Sequence, residues 1–166
     1  MIKVAINGFG RIGRMVLRSI IENKIKSIKV VAINNRADTG TSAFLLEKDT
    51  IHGNLNMPVQ FDKKSIKVAG QNILCFHESD PENLPWKKLG VDIVFECTGK
   101  FNSKEQSSKH LLAGAKRVLV SAPCKNADQT IVYGVNEKKI SSKDKIISVA
   151  SCTTNCLAPL AKVLLD

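Results

Sequence analysis

The 166-residue sequence contains few aromatic residues, few histidines and comparatively little acidic charge. Aromatic residues make up 5% of it, and there are three histidines. Its 25 lysines and arginines against 15 aspartates and glutamates give a net charge of +10. Because the lysines are dispersed and do not alternate with aromatic residues, the pattern of a nucleic-acid-binding surface is missing. The charge therefore favours a small polyanionic ligand over nucleic acid.

Long apolar runs are also missing. No segment approaches the roughly 20 apolar residues that a membrane-spanning helix needs. The amino terminus, Met1 to Ala5, starts with a strand-like pattern and lacks the layout of a signal peptide. We therefore expect a cytoplasmic protein without membrane contact. With 43% hydrophobic residues, the chain is long enough to bury a core without disulfide bonds.

The cysteines lack the spacing of a disulfide framework or of a zinc site. Their number is odd, there is no Cys-x-x-Cys pair, and no histidine stands near Cys152 and Cys156. We expect free thiols and no bound metal. The cysteines are Cys75, Cys97, Cys124, Cys152 and Cys156.

A glycine-rich turn between a strand and a helix is the clearest sign of function. Residues 3–7 predict a buried strand, GFGRIG follows at 8–13, and a helical pattern comes next. In this motif Gly8 allows a tight turn, Gly10 lets a pyrophosphate approach the backbone, and Gly13 lets helix and strand pack closely. The start of the helix supplies N–H donors to the phosphates. The sequence predicts dinucleotide binding at these three glycines.

The end of the second predicted strand, residues 30–34, bears on the choice of cofactor. The dinucleotide motif calls for an acidic residue there, to bind the adenosine ribose. Asn35 stands in that place and Arg36 follows it. Because a carboxylate repels a 2′-phosphate, whereas neutral asparagine beside a cation accepts one, the pair favours NADP or the use of both cofactors. The alternative is that Asn35 still binds the ribose of NAD while Arg36 points into solvent.

The rest of the pattern alternates strands and helices. It predicts a doubly wound, mostly parallel α/β sheet of Rossmann type with a small antiparallel meander inserted at 59–76. Thr98, Gly99 and Ser121 follow the carboxyl ends of strands, where open α/β sheets bind ligands. The histidines, His52, His77 and His110, are expected to be surface or packing residues. The later strands are expected at 91–97, 117–121, 131–136 and 145–150.

Cys152 follows the last predicted strand and begins helix-compatible sequence. A cysteine at such a junction meets unpaired backbone N–H groups and the positive end of the helix dipole, which both favour the thiolate. The thiolate is the nucleophilic form of cysteine. The sequence predicts that Cys152 is a covalent nucleophile lying opposite the bound dinucleotide.

Three segments in fixed order resemble the phosphorylating, glycolytic glyceraldehyde-3-phosphate dehydrogenase family: NGFGRIGR at 7–14, ECTGKF at 96–101 and ASCTTNCLAPL at 150–160. The resemblance covers the whole chain. It implies a homotetramer that oxidises glyceraldehyde 3-phosphate to 1,3-bisphosphoglycerate with NAD or NADP and inorganic phosphate, through a thioester on Cys152. Erythrose-4-phosphate dehydrogenase remains an alternative. A nucleotide- or RNA-binding module is an alternative of another class.

The same resemblance implies roles for individual residues. Ser151 and Thr153 would help bind the phosphate that attacks the acyl intermediate. Asn35 replaces the usual family aspartate, and Ser79 stands where many relatives have an arginine near the adenine. Strict use of NAD is therefore in doubt. The implied cofactor contacts are Arg11 and Ile12 at the pyrophosphate, Thr98, Gly99 and Ser121 along the site, and Asn34 and Asn35 at the ribose.

The resemblance also divides the chain. Residues 1–150 would form the dinucleotide-binding domain, and residues 151–166 would begin a catalytic domain that is truncated here. Family members continue for about as many residues again and carry a histidine base in that part. We therefore expect the isolated chain to bind cofactor weakly, to turn over no aldehyde, and to expose apolar side chains at Leu157, Leu160 and Leu164.

Overall fold

The computed structural model of the chain describes residues 1–165, so Asp166, the last residue of the expected catalytic segment, lies outside the described residues. The strands are β1 (Ile2–Asn7), β2 (Ile28–Asn34), β3 (Gln60–Phe61), β4 (Ser65–Val68), β5 (Gln71–Phe76), β6 (Ile93–Glu96), β7 (Arg117–Val120), β8 (Gln129–Thr130) and β9 (Ile146–Ser148). The helices are α1 (Arg11–Glu22), α2 (Thr39–Glu47), α3 (Trp86–Leu89), α4 (Lys104–Leu112) and α5 (Cys152–Leu165), with short 3-10 helices at Pro81–Asn83 and Glu137–Lys139.

The strands form one sheet in the order β3-β4-β5-β2-β1-β6-β7-β9-β8. From β5 to β8 every neighbouring pair is parallel, whereas β3, β4 and β5 pair antiparallel. This confirms the doubly wound sheet and the meander. Because the chain winds outward from β1 in both directions, the strand order reverses between β1 and β6. Open α/β sheets bind ligands at such a switch point, outside the carboxyl ends of the strands.

The core lies on both faces of the central strands. Successive strand residues point to opposite faces, and Ala5 and Ile6 accordingly belong to different buried clusters. Ile6 packs with Leu17 of α1 and Leu46 of α2, while Ala5 shares its cluster with Trp86 of α3. Strands covered on both faces read as near-continuous apolar runs, which explains the buried apolar run of Val4, Ala5 and Ile6 in β1.

The prediction of a strand at 131–136 is wrong. The parallel ladder in this region is formed by Gln129 and Thr130, which pair with β9. After Thr130 the chain turns, because the Asn136 side chain accepts a hydrogen bond from the Val132 N–H at 2.7 Å and donates one to the Thr130 carbonyl at 3.0 Å. Gly134 lies within this turn at φ +81°. Ile131 and Val132 are buried without forming a strand, whereas Tyr133 is exposed.

The last helix differs from the others in its burial. None of the described residues of α5 is buried, and Leu157, Leu160 and Leu164 are 68%, 59% and 87% exposed. These are the apolar side chains that the sequence analysis expected at the surface. Pro159 lies inside the helix, which continues past it. Within residues 1–165 there is no helix with the length and apolar character needed to cross a membrane.

Candidate functional site

The glycine-rich turn brings two loops of the sheet edge into direct contact. Gly8 adopts φ +90°, and a Cβ at this position would lie 2.6 Å from the Thr98 nitrogen. A Cβ on Gly13 would lie 2.2 Å from the Gly8 carbonyl oxygen. Any side chain at these positions would therefore force the β1–α1 turn away from the β6–α4 loop or from α1. The tight turn and the close helix–strand packing that the motif predicts are both present.

The start of α1 leaves room for an anion. Gly10 precedes the helix and has no side chain to cap it, and a Cβ there would meet no protein atom within 4 Å. The Arg11 guanidinium forms an ion pair with the Asp49 carboxylate, with Nη1 3.0 Å from Oδ2. Backbone N–H groups from His52 and Ile51, together with Arg11, lower the pKa of the Asp49 carboxyl to about 2. An open cradle at uncapped helix N–H groups fits the diphosphate of a dinucleotide.

A cleft of about 320 Å³ lies over the carboxyl ends of β1, β2 and β6. Six of the residues predicted to bind the cofactor line it: Gly8, Gly10, Asn34, Asn35, Arg36 and Thr98. Sequence reasoning did not select several other lining residues, namely Asn7, Glu78, Cys97, Lys100 and Phe101. Asn7 ends β1 and Cys97 directly follows β6, so the strand-end rule that selected Thr98 would also have found both.

Five further predicted cofactor residues do not line this cleft: Arg11, Ile12, Gly13, Gly99 and Ser121. Arg11, Ile12 and Gly13 form the first turn of α1, and Ile12 is 51% exposed. Gly99 follows Thr98 with φ +70°. Ser121 follows β7, and its N–H donates to the Glu96 carbonyl at 2.9 Å. These residues surround the cleft at the same sheet edge, since β1, β6 and β7 are parallel.

At the end of the cleft formed by residues 34–36, both asparagine amides are hydrogen-bonded and the Arg36 guanidinium is exposed. The Asn34 side chain donates to the Asn7 Oδ1 atom at 2.7 Å and makes two hydrogen bonds with the backbone of Glu78. Asn35 donates to the Ser42 hydroxyl at 3.2 Å. Arg36 is exposed, and no ion pair of its guanidinium occurs within residues 1–165. Asn34 therefore holds the cleft wall, while Arg36 can turn toward a ligand.

All five cysteines are free thiols, as expected from the sequence, but their environments differ. Burial raises the pKa of the Cys97 thiol, which lines the cleft, to about 11. Burial also raises the pKa of Cys75 to about 11. Cys152 and Cys156 are both exposed. Of the two exposed thiols, Cys152 is the one at the beginning of a helix.

The turn that carries Cys152 is held by its own residues. Ala150 adopts φ +62°, a strained value for alanine that sharply redirects the chain after β9. Ser151 caps α5 by accepting a hydrogen bond from the Thr154 N–H at 3.0 Å. Asn155 donates to the carbonyls of Val149 at 2.7 Å and Ser151 at 2.9 Å. These two hydrogen bonds of Asn155 were not predicted from the sequence.

Cys152 shares the sheet edge with the cleft but does not line it. The strand β9 lies three positions from β1 in the sheet, which corresponds to about 14 Å at the usual strand spacing. Ser151 and Thr153, the predicted phosphate ligands, are next to each other, with their hydroxyl oxygens 2.9 Å apart. The structure thus places an exposed thiol and two hydroxyl groups on the side of the sheet where the dinucleotide cleft opens.

Comparison with known proteins agrees with this geometry. Residues 2–104 match the family model described as glyceraldehyde 3-phosphate dehydrogenase, NAD binding domain. The chain is 53% identical over 164 residues to a glyceraldehyde-3-phosphate dehydrogenase of Geobacillus stearothermophilus, covering 98% of this chain and 48% of the relative. It is 51% identical to a protein of that name from Thermotoga maritima and 53% identical to one from Xanthobacter flavus, covering 99% of this chain and 49% of each relative.

These matches also show how much of each relative's length this chain corresponds to. The chain spans about half the length of the curated relatives it matches. The family model begins in β1 and ends at the first residue of α4, so it contains the glycine-rich turn and the Thr98 loop. The relatives extend the similarity over Cys152 and α5. The chain therefore belongs to the glyceraldehyde-3-phosphate dehydrogenase family, with the NAD-binding domain that defines it.

Proposed function

We propose that this chain supplies the cofactor site and the nucleophile of a phosphorylating aldehyde dehydrogenase acting on glyceraldehyde 3-phosphate in glycolysis and gluconeogenesis. One observation carries the proposal: the exposed Cys152 begins a helix at the same sheet edge as a cleft suited to a dinucleotide. A nucleotide-binding module without chemistry would not need a thiol at that place. The names of the relatives support the choice of aldehyde.

The chemistry of this chain's residues follows from their positions. The Cys152 thiolate adds to the aldehyde carbon and forms a thiohemiacetal. When bound, the nicotinamide cofactor would accept the hydride that leaves this carbon, the hydroxyl proton would pass to the histidine base that the family resemblance implies, and a thioester would remain on Cys152. The hydroxyl groups of Ser151 and Thr153 hold the inorganic phosphate that attacks the thioester and releases 1,3-bisphosphoglycerate. Covalent attachment thus divides a difficult conversion into two separate steps.

The cofactor assignment extends the proposal from NAD to NADP. Asn35 and Arg36 both line the cleft where the adenosine ribose would lie, and Lys100 adds a second cation to its wall. Neither a carboxylate at residue 35 nor an ion pair within the described residues neutralises Arg36. We propose that the site accepts both cofactors. An Asn35→Asp variant should lose NADP affinity and keep NAD affinity, and equal losses for both cofactors would contradict dual use.

Other expectations from the resemblance belong to the same proposal. The exposed Leu157, Leu160 and Leu164 support the idea that residues 151–166 begin a second, catalytic domain. A homotetrameric assembly comes from the family resemblance alone, and a cytoplasmic location remains the expectation drawn from the sequence. Erythrose 4-phosphate is the competing aldehyde, so it must be assayed beside glyceraldehyde 3-phosphate.

A chimera tests the proposed activity. This chain is joined to the carboxyl-terminal half of the Geobacillus stearothermophilus relative, and reduction of NAD and NADP is measured with each aldehyde and phosphate. We expect turnover that Cys152→Ser reduces at least about 10³-fold, without loss of NAD binding. Cys156→Ser, four residues along the same helix and also exposed, is the matched control and should stay active. Turnover that survives Cys152→Ser would refute the assignment.

A further inference from the structure

A fully buried carboxylate lies beneath the dinucleotide cleft. Glu96, the last residue of β6, is 1% exposed. Its Oε1 atom accepts hydrogen bonds from the Thr98 N–H at 2.7 Å and from the Thr98 hydroxyl. Its Oε2 atom accepts hydrogen bonds from the Asn7 side-chain amide at 2.6 Å and from the His110 ring at 3.0 Å. Each carboxylate oxygen therefore serves a different neighbour of the cleft.

The direction of the His110 hydrogen bonds is fixed by Trp86. The Trp86 indole N–H can only donate, and it lies 3.1 Å from the Nδ1 atom of His110. Nδ1 must therefore accept, so the ring proton resides on Nε2 and is donated to Glu96. Both rings are fully buried and stack with centroids 6.4 Å apart. Trp86 thus orients His110, and His110 orients the Glu96 carboxylate.

The network reaches three strand ends that line the cleft. Asn7 follows Val4, Ala5 and Ile6 at the end of β1, Asn34 ends β2, and Thr98 lies just beyond β6. The Asn7 amide donates to Glu96 and its oxygen accepts a hydrogen bond from Asn34. The next residue, Gly8, approaches the Thr98 nitrogen so closely that a Cβ would lie 2.6 Å from it. A movement of Glu96 would therefore move both loops.

We propose that Glu96 and His110 are positioning residues of the dinucleotide site. Glu96 fastens the β1–α1 turn and the Thr98 loop to each other, one through each carboxylate oxygen, and His110 holds the carboxylate in that orientation. Neither residue is among those that line the cleft, so both act through Asn7 and Thr98. This positioning role rests on the proposed dinucleotide binding. It adds an explanation of what fixes the shape of the cleft.

The energetics follow from burial. A carboxylate removed from water needs several donors, because an unsatisfied buried charge is costly. Within the described residues, its donors are the Thr98 N–H and hydroxyl, the Asn7 amide and the His110 ring. If one donor is removed, the carboxylate must turn or draw in water. The Thr98 loop and the Asn7 amide then lose their common anchor.

A matched pair of variants at His110 tests the inference. The side-chain nitrogen of glutamine can stand near Nε2 of the histidine, whereas the asparagine side chain can reach only the position of Nδ1. His110→Gln therefore keeps the donor to Glu96 and loses the contact with Trp86, and His110→Asn does the reverse. We expect His110→Asn to raise the NAD dissociation constant about tenfold and His110→Gln to change it less than twofold. If the role of His110 were only structural, the two variants would differ in melting temperature but not in their affinity for NAD.

A second pair acts on the carboxylate itself. Glu96→Gln places an amide group where one of the two loops needs an acceptor, so NAD affinity should fall about tenfold. Glu105→Gln removes the same charge from an exposed position in the first turn of α4 and should leave affinity unchanged. If Glu96→Gln fails to fold, the pair at His110 decides.

The dissociation constants are measured by NMR titration of the isotope-labelled 166-residue chain with NAD, because this method also covers weak binding. The Thr98 amide shift reports the bond to Glu96. Equal constants for His110→Asn and His110→Gln, or a Glu96→Gln constant within twofold of wild type, would overturn the positioning role and leave the proposed function standing. Wild-type chain that binds no NAD would overturn the dinucleotide site itself, together with this inference.

Discussion

The dinucleotide cleft and the Cys152 turn lie at one edge of the sheet, but they are supported differently. The strands beneath the cleft carry fully buried core residues, and the buried Glu96 carboxylate is hydrogen-bonded to both loops. The helix that begins at Cys152 has no buried residue within the described part of the chain. Its first turn is held by Ser151 and Asn155, both bonded to nearby backbone. The cleft is a packed structure, whereas Cys152, the proposed nucleophile, is carried by a local turn.

This difference shows which property each part of the site needs. A dinucleotide cleft must keep loops from several strands at fixed separations, and packing beneath the loops achieves this. A nucleophile needs exposure to its substrate and a favourable backbone environment, which a helix start provides.

The first prediction compares packing beneath the cleft with packing on α5. Ile6 is fully buried, whereas Leu160 is 59% exposed. Ile6→Ala should lower the free energy of unfolding by about 3–4 kcal/mol, since it leaves a cavity in the core. Leu160→Ser should change it by less than about 0.5 kcal/mol. Urea denaturation followed by circular dichroism measures both values. Similar losses for the two variants would mean that α5 packs as firmly as the core.

The second prediction concerns two glycines of the cleft. Gly8→Ala should cost about 3 kcal/mol of unfolding free energy, because alanine is strained at φ +90° and its Cβ would strike the Thr98 backbone. Gly10→Ala should leave stability nearly unchanged, since its Cβ meets no protein atom. It should nevertheless weaken NAD binding, because the methyl group occupies the approach of the diphosphate. Denaturation curves and NAD titrations of both variants check this, and a stable Gly8→Ala would contradict the close contact of the loops.

The third prediction compares the thiols. With a pKa of about 11, Cys97 is only about one thousandth thiolate at pH 8, and burial restricts access to it further. Iodoacetamide should therefore modify the exposed Cys152 and Cys156 at least about a hundredfold faster than Cys97. Peptide mass spectrometry over time gives each rate, and the same reaction in denaturant provides the control, in which all cysteines should react alike. Rapid labelling of Cys97 in native protein would show that the cleft opens.

The fourth prediction concerns acid. The folded pKa of Asp49 is about 2, below its ordinary value of 3.8, first because the His52 N–H donates to it and then because Ile51 and Arg11 do. The folded protein therefore binds this proton less readily than the unfolded chain, and the resulting stability is present above about pH 4 and lost as the pH falls toward 2. Asp49→Asn should show a smaller decline over this interval. An unchanged acid dependence would exclude Asp49 as its source.

Much of the cleft could be predicted because local sequence determines it. Gly8 and Gly13 are required by close backbone contacts, and the strand ends select Asn35 and Thr98. The topology followed from the alternation of apolar segments, which also reflects burial on both faces. These features depend on neighbouring residues or on periodicity, and both can be read from the sequence.

The features that escaped prediction depend on side-chain contacts and burial, which periodicity does not show. His110 was expected at the surface or in packing, and only the fold brings it to Glu96 and Trp86, which are 14 and 24 positions away. The apolar segment 131–136 resembled a strand, but the Asn136 side chain closes it into a turn. The raised pKa of Cys97 likewise comes from burial, which sequence spacing does not reveal.

The most direct test of the central claim is the mass of the chimera after one turnover with NAD and glyceraldehyde 3-phosphate in the absence of phosphate. We expect one reduced cofactor per chain and one acyl group, attached to the peptide that contains Cys152. Added phosphate should remove the acyl group. Cofactor reduction without an adduct, or an adduct on Cys156, would contradict the claim that this chain presents Cys152 as the nucleophile.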